Sequence, residues 1–355
     1  MLGSNEKAHL VEYLLQAMQA READPIAFAT SCEGHPAFHH AEKTKDIHSF
    51  QLSCSRGNRT RYFLKVQDGC NYFCTYCTIP YARGFSRNPS IATLVEQVKQ
   101  AAADGGKEVV ITGVNIGDFG RTTGERFIDL VKALDEIEDI RRYRISSLEP
   151  DLCSDELIDY CAHSRAFMPH FHIPLQSGSD TVLRLMHRRY DAALFAHKVE
   201  LIKEKMPHAF IGVDVMVGCR GETPDCFEEC RSFIEGLDVT QLHVFPYSER
   251  PGTAALSIPY VVDDKEKKRR VHELLELSEQ KTRAFYARHA GTEQEVLLEK
   301  SASGKAMHGF TRNYVRVQLP EHLSKPEYDN ELLTVRIGDF NADQTAMMVE
   351  DIIQR

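Results

Sequence analysis

No run of apolar residues in this chain of 355 is long enough to span a bilayer, so a helical membrane protein is not expected. The opening MLGSNEKAHL lacks a charged segment followed by an apolar one; it does not read as a signal peptide, and a cytoplasmic location is the expectation. Positive charge is in short supply: 43 Lys and Arg face 52 Asp and Glu, a net charge of −9. That deficit argues against a protein that coats nucleic acid with a uniformly basic surface. It leaves room for a local basic groove, because the distribution of charge decides and not the total. Internal repeats and low-complexity tracts are missing too. Apolar residues at 42 % and charged residues at 27 % are ordinary for a globular chain, and the length suits two or three domains.

Cysteine is not scarce. Ten of them in a chain with no secretory context point to a metal, a cluster or catalysis before disulfides. Residues 5–20 have apolar positions at helical spacing behind a plausible Asn5 cap. Residues 24–58, with Pro25, Pro36 and several histidines, show no period and read as an irregular arm. From residue 61 short apolar runs alternate with helical segments. The strand candidates are YFLKV (62–66), EVVITGV (108–114), RYRISSL (142–148), HFHIPL (170–175), FIGVDVMVG (210–218) and QLHVFPY (241–247). The helix candidates are 91–103, 126–138, 154–163, 191–205 and 224–236. Such alternation implies βα units around a parallel sheet. Six units fall short of a full barrel, so the expected fold is α/β, an open six-unit partial TIM barrel with its active residues on the loops after the strands. A long polar helix over 263–289 follows. EVLLEK, YVRVQL and LLTVRIGDF then alternate apolar and polar residues, which predicts a small antiparallel β-barrel of the OB kind.

The loop DGCNYFCTYCTIPYARG (68–84) places Cys70, Cys74 and Cys77 at C-x3-C-x2-C behind the first barrel strand. Three thiolates can hold three irons of a 4Fe–4S cluster and leave the fourth open to a substrate group. The alternatives are a closed zinc site or ordinary buried cysteines. No histidine or fourth cysteine lies within the loop to close a zinc tetrahedron. Three cysteines in eight positions, beside Gly69 and Gly84, are more than packing asks for.

With these residues the chain resembles the radical S-adenosylmethionine enzymes. Tyr76, before the third cysteine, fits that family's aromatic position. The resemblance implies that the methionine end of S-adenosylmethionine chelates the open iron, and that an electron from the cluster releases a 5′-deoxyadenosyl radical. SSLEP (146–150), HFHIPLQSGSD (170–180), MHRRY (186–190), DVMVG with GET (214–223) and LHVFPYSERPGTAA (242–255) are together similar to the methylthiotransferases, and most closely to their MtaB-like branch. That branch forms the 2-methylthio derivative of N6-threonylcarbamoyladenosine next to the tRNA anticodon. The resemblance runs from about residue 60 to the C-terminus. It implies cofactor contacts at Gly113 in TGVNIGDFG, at Glu149, at Gln176 and Ser177, and at Arg188, whose fork suits a carboxylate. Cys219 and Arg220 depart from relatives that have an aromatic and a proline before GET. Cys219, Cys226 and Cys230 look like a ligand set, but the i,i+4 spacing of the last two on a helix reads as packing.

The tail resembles a TRAM domain, an RNA-binding barrel. On that likeness Arg312, Tyr314 and Arg316 of GFTRNYVRV (309–317) are the expected RNA contacts, through phosphates and a base face. KEKKRR (265–270) is a second basic candidate. The expected division is a remnant of an N-terminal domain with linker at 1–58, a radical core at 59–289 and a TRAM domain at 290–355. The family's N-terminal domain holds an auxiliary 4Fe–4S cluster on three further cysteines. Only Cys32 and Cys54 precede the loop here, so the expectation is one cluster, cofactor cleavage, and methylthiolation left incomplete by this chain alone. The partners implied are tRNA, an electron donor of flavodoxin or ferredoxin type and a sulfur source. A ribosomal-protein aspartate is the alternative substrate, and a non-catalytic RNA-binding remnant the alternative class. Removing residues 291–355 is expected to weaken tRNA binding and to leave cofactor cleavage largely intact.

Overall fold

The computed structural model describes residues 10–23, 47–57, 59–299, 301 and 306–354. The Asn5 cap, Pro25, Pro36 and Cys32 lie outside the described residues. Helix α1 spans Leu10–Ala23.

The six βα units stand where the periodicity predicts them. The strands are β2 (Tyr62–Lys65), β3 (Glu108–Thr112), β4 (Arg142–Ile145), β5 (His170–Gln176), β6 (Phe210–Val217) and β7 (Gln241–Pro246). Two short helices escaped the sequence reading, α2 (Ile79–Arg83) and α6 (Asp180–Leu185). The longer ones are α3 (Ile91–Ala103), α4 (Phe127–Asp135), α5 (Asp155–His163), α7 (Ala192–Lys205), α8 (Pro224–Gly236) and α9 (Asp264–Ala287). Their starts are chemically marked. Ser90, Ser154, Asp191 and Thr223 each accept a bond from a backbone N–H three residues on, which satisfies one donor the first turn leaves open. Helix α3 buries Leu94, Val98 and Ala101 on one stripe against the sheet. Cys226 and Cys230 are buried in the same way on α8, as the packing reading expects.

The sheet falls into two parallel halves, β2-β3-β4 and β5-β6-β7. Isolated bridges at Tyr143↔Phe167 and Ser147↔His172 connect them. Strand β7 pairs only with β6 among the described residues, so the barrel is open beside it. The far edge of β2 is taken by β1 (Ser53–Ser55), antiparallel, with Cys54 opposite Leu64. This strand lies in the arm read as irregular; three residues are too few to display a period.

The C-terminal barrel has β8 (Glu293–Glu299), β9 (His308–Thr311), β10 (Arg316–Gln318), β11 (Leu332–Phe340) and β12 (Met347–Gln354), closed in the order β10-β12-β11-β8-β9. The expectation of an antiparallel barrel is corrected at one pair: β10 and β12 run parallel, with Val317 opposite Met347. The chain after β10 crosses the barrel end before β11, so the last strand returns along β10's direction.

This small barrel plugs the N-terminal ends of the large barrel's strands. Arg142 and Arg144, both on β4, are 0 % and 2 % exposed. Arg144 pairs with buried Glu108 at 2.8 Å and donates to the backbone oxygens of Thr311 and Arg312. Arg142 donates to Phe310 O and to the backbone and carboxylate of Glu295. Arg61–Glu299 and Lys107–Glu331 pairs rim the joint. Burial pushes the Glu108 carboxyl up, but Arg144 and Arg142 outweigh it and the net direction is down. A carboxylate held below its ordinary value contributes stability that is present above that value and lost as pH falls through the lower, folded one. Glu108→Gln should therefore cost on the order of 3–5 kcal/mol by leaving buried guanidinium groups short of a counter-charge. Denaturant unfolding at neutral pH reads that loss, and the variant's stability should fall less than the wild type's on acidification.

Candidate active site

Strand β2 runs out into the three-cysteine loop at the opposite, C-terminal mouth of the large barrel. The loop is closed at its base by reciprocal backbone bonds between Asp68 and Arg87, at 3.0 and 2.9 Å, and by Cys70 N donating to Gly84 O. The Asp68 carboxylate gathers Lys65, Arg83 and Arg87 and accepts from Gly69 N at 2.8 Å. Gly69 has φ +73, and a Cβ there would lie 2.0 Å from Phe85 O, so the base of the loop closes only over a glycine. Gln67, fully buried, ties the loop to its neighbour. Its amide donates to Asp68 O, Gly69 O and Ser86 Oγ, while its oxygen accepts from Val114 N and Asn115 N.

Each sulfur faces donors. Cys70 Sγ accepts from Tyr72 N at 3.5 Å, with Asn115 Nδ2 3.9 Å away. Cys77 Sγ accepts from Ile79 N at 3.4 Å, and Cys74 Sγ from the Arg188 guanidinium at 3.3 Å. Burial pushes all three thiols up, Cys70 to about 11. Ligation therefore has to displace protons that burial favours.

Three of the expected cofactor residues meet at Cys74. Arg188 donates to Tyr76 OH at 3.3 Å and pairs with Glu149, and its side chain is 3 % exposed. Its Nε donates to Tyr190 OH, which donates on to the Pro174 and Leu175 carbonyls at the end of β5. The carboxylate that Arg188 meets is thus Glu149. Burial pushes Glu149 up to about 7 against Arg188, with Asp151 and Asp214 adding to the rise. Gln176 ends β5 at φ +62, an uncommon conformation for a residue with a Cβ. Ser177, beside it, is buried and accepts from Ser179 N. Gly178 N donates to Cys230 Sγ at 3.0 Å, which gives that cysteine its place. At Gly113 the close approach is internal: a Cβ would lie 2.7 Å from Ile116 and 3.1 Å from Gln67 O.

The expected RNA residues sit at the other end of the barrel. Tyr314 is not an open stacking platform. Its ring stacks on Phe310 at 4.6 Å, the Arg144 guanidinium lies 4.8 Å from its centroid, and its hydroxyl accepts from Arg61. The tyrosine is cement between the two barrels, because the joint covers the faces a base would use. Arg316 has no side-chain partner among the described residues, and Arg312 reaches only Arg165 O, at 3.4 Å. Arg270, from the basic run, is fully buried against Glu222 and Glu266 and so is no phosphate contact.

Sequence reasoning missed Gln67, Asn115, Ser179 and the Tyr72–Asp151 bond of 2.5 Å. Asn115 lies inside a quoted motif and Gln67 just before another, but nothing local says that one grips the other's loop. Two buried atoms near the mouth, Asn115 Oδ1 and Ser179 Oγ, have no partner among the described residues. No three His, Cys, Asp or Glu side chains among the described residues converge as one metal ion requires. A cluster makes no such demand, since each thiolate binds a different iron. Three thiols on one braced loop, with unpaired polar atoms beside them, fit a 4Fe–4S cluster and a polar cofactor.

The radical SAM superfamily profile matches residues 64–234. The threonylcarbamoyladenosine tRNA methylthiotransferase MtaB of Bacillus subtilis is 39 % identical over 306 residues, 83 % of this chain and 67 % of that protein. The protein of the same description from Thermotoga maritima is 30 % identical over 99 % of this chain and 74 % of its own length. A tRNA-2-methylthio-N(6)-dimethylallyladenosine synthase from Finegoldia magna is 31 % identical over 85 % of this chain and 65 % of its own length.

The loop geometry yields a direct expectation. Gly69→Ala, through the Cβ collision with Phe85 O, should lower iron uptake on anaerobic reconstitution about as far as Cys74→Ala does. Far-UV circular dichroism of both variants should match the wild type.

Proposed function

This chain belongs to the MtaB family of radical S-adenosylmethionine tRNA methylthiotransferases, and on that premise we propose that it 2-methylthiolates N6-threonylcarbamoyladenosine in tRNA. One observation carries the reading: Cys70, Cys74 and Cys77 stand at the strand-end mouth of an open barrel, with Arg188 linking Cys74 to Tyr76 and Glu149.

Cys70, Cys74 and Cys77 would hold the 4Fe–4S cluster, and Tyr76, Gly113, Glu149, Gln176, Ser177 and Arg188 the S-adenosylmethionine. Bound there, the pair supplies one-electron chemistry able to activate an unreactive C–H bond. The chain's own residues do the rest. Asp68 and Gln67 hold the thiols in place, and Arg188 sets positive charge beside Cys74, which favours its thiolate. Glu149, with its carboxyl near 7, is able to change its proton in the working pH range.

We assign residues 59–289 to the radical core, with β1 of the preceding segment added to its sheet, and 290–355 to a TRAM domain. Arg312 and Arg316 are its phosphate contacts and Tyr314 holds the ribbon that presents them. A flavodoxin- or ferredoxin-like donor delivers the electron, and a separate source the sulfur. No helix among the described residues is long and apolar enough to cross a membrane.

The test is nucleoside mass spectrometry of tRNA treated with the reconstituted chain. From this chain alone 5′-deoxyadenosine is expected, and the 2-methylthio product of threonylcarbamoyladenosine once a sulfur source is supplied. Product on dimethylallyladenosine, or on a ribosomal-protein aspartate, would replace the substrate. Iron is expected at about four per chain, and about eight would mean a second cluster. Deleting residues 291–355 is the wrong test of the RNA surface, because it strips Arg142 and Arg144 of their partners. The paired substitutions Arg312→Glu and Arg316→Glu should instead weaken tRNA binding on the order of tenfold and reduce its salt slope by about two.

A further inference from the structure

Below the cluster mouth, the inner positions of the second half-sheet carry a polar group that the proposed reaction does not yet use. His172 on β5 and Asp214 on β6 face each other, with Nε2 2.7 Å from Oδ1. His243 on β7 lies directly opposite Asp214 in register, and its ring stacks on His172 at 5.0 Å and 23°. The β6 residue opposite His172 is Gly212; a Cβ there would still stand 3.7 Å from His243 Nε2, so the imidazole has room.

Period 2 places Gln241, His243 and Phe245 on one face of β7, while Leu242 and Val244 join the outer core. Strand β7 is the open edge of the barrel. Phe245, one step nearer the mouth than His243, is 51 % exposed. The charge of Asp214 also helps to raise the Glu149 carboxyl at the cofactor end. The floor is shut. His170, two residues before His172 and half-buried, meets the Tyr314 ring at 4.5 Å. A ligand can therefore enter from the mouth or past β7 and cannot pass through.

We propose that His172, Asp214 and His243, with Phe245 above them, are the seat of the extruded purine base of the RNA substrate. This deepens the tRNA reading and rests on it. Chemistry on a base in a folded RNA requires the base to leave its stack for a pocket that stacks on it and reads its edge. Phe245 supplies a free aromatic face. One nitrogen of His172 is held by Asp214, while its other nitrogen and both of His243 have no partner among the described residues. Burial, with His172 alongside, keeps His243 below its ordinary value, so it is neutral and offers one donor and one acceptor. An N6-substituted adenine presents ring-nitrogen acceptors and one N–H, the set these nitrogens can meet. The three residues position the base; they are not assigned a proton or electron transfer.

The test uses two anticodon stem-loop RNAs, one with 2-aminopurine at the target adenosine and one with an abasic site there. Wild-type chain should raise 2-aminopurine fluorescence on binding, and iron content serves as the fold control. His243→Ala and Phe245→Ala should each cut that rise and weaken binding on the order of tenfold, yet bind the abasic RNA like wild type. His172→Asn with Asp214→Asn should do the same. Equal weakening on both RNAs would mean a structural role and overturn the proposal, as would unchanged binding on both or no fluorescence rise with wild type. If the base-specific loss appears while wild type forms no methylthio nucleoside, the seat stands and the reaction assigned above falls.

Discussion

One buried amide holds the cluster mouth together. Gln67 has its donors spent on the base of the cysteine loop and its acceptor on the loop after β3. A fully buried amide with unmet groups is costly, so the two loops are locked in the one arrangement that satisfies it. Everything at the site follows from that lock. The Asp68 cation cage closes the loop behind it, Asn115 is delivered to Cys70, and Cys74 is left facing Arg188. The arrangement of the three thiols is thus set by hydrogen bonds within and between these loops.

The opposite end of the barrel is held by a different kind of force. Charges are buried there, and the small barrel contributes the Glu295 carboxylate and four backbone carbonyls as partners for Arg142 and Arg144. Such a joint is intolerant of losing either side, since removing one partner leaves an unpaired charge in a low dielectric. The two barrels therefore behave as one piece, and Tyr314, on the ribbon of the small barrel, ends up as the floor of the large one's lumen.

The period-2 and period-3.6 patterns made the βα order legible, with element ends within a few residues, because local burial alternates faithfully along each strand and helix. The cysteine spacing made the mouth legible for a similar reason, since spacing along a loop is a local property. What escaped was long-range. RYRISSL reads as a strand, but nothing in it says that a domain about 150 residues later covers its arginines. Tyr314 reads as an exposed aromatic beside two arginines, and the same covering buries its faces. His172, Asp214 and His243 come from three separate segments, and only the parallel register brings them together.

The placement of the small barrel has a consequence of scale. The cluster loop lies beyond the C-terminal ends of the barrel strands and Arg316 beyond their N-terminal ends. A strand of about six residues rises roughly 20 Å. A single nucleoside in the lumen would never feel the distal arginines, whereas a folded stem-loop laid along the outer wall would touch both ends at once. On the function proposed above, the molecule is in effect a gauge, in which chemistry at one end is conditional on a substrate tall enough to be gripped at the other.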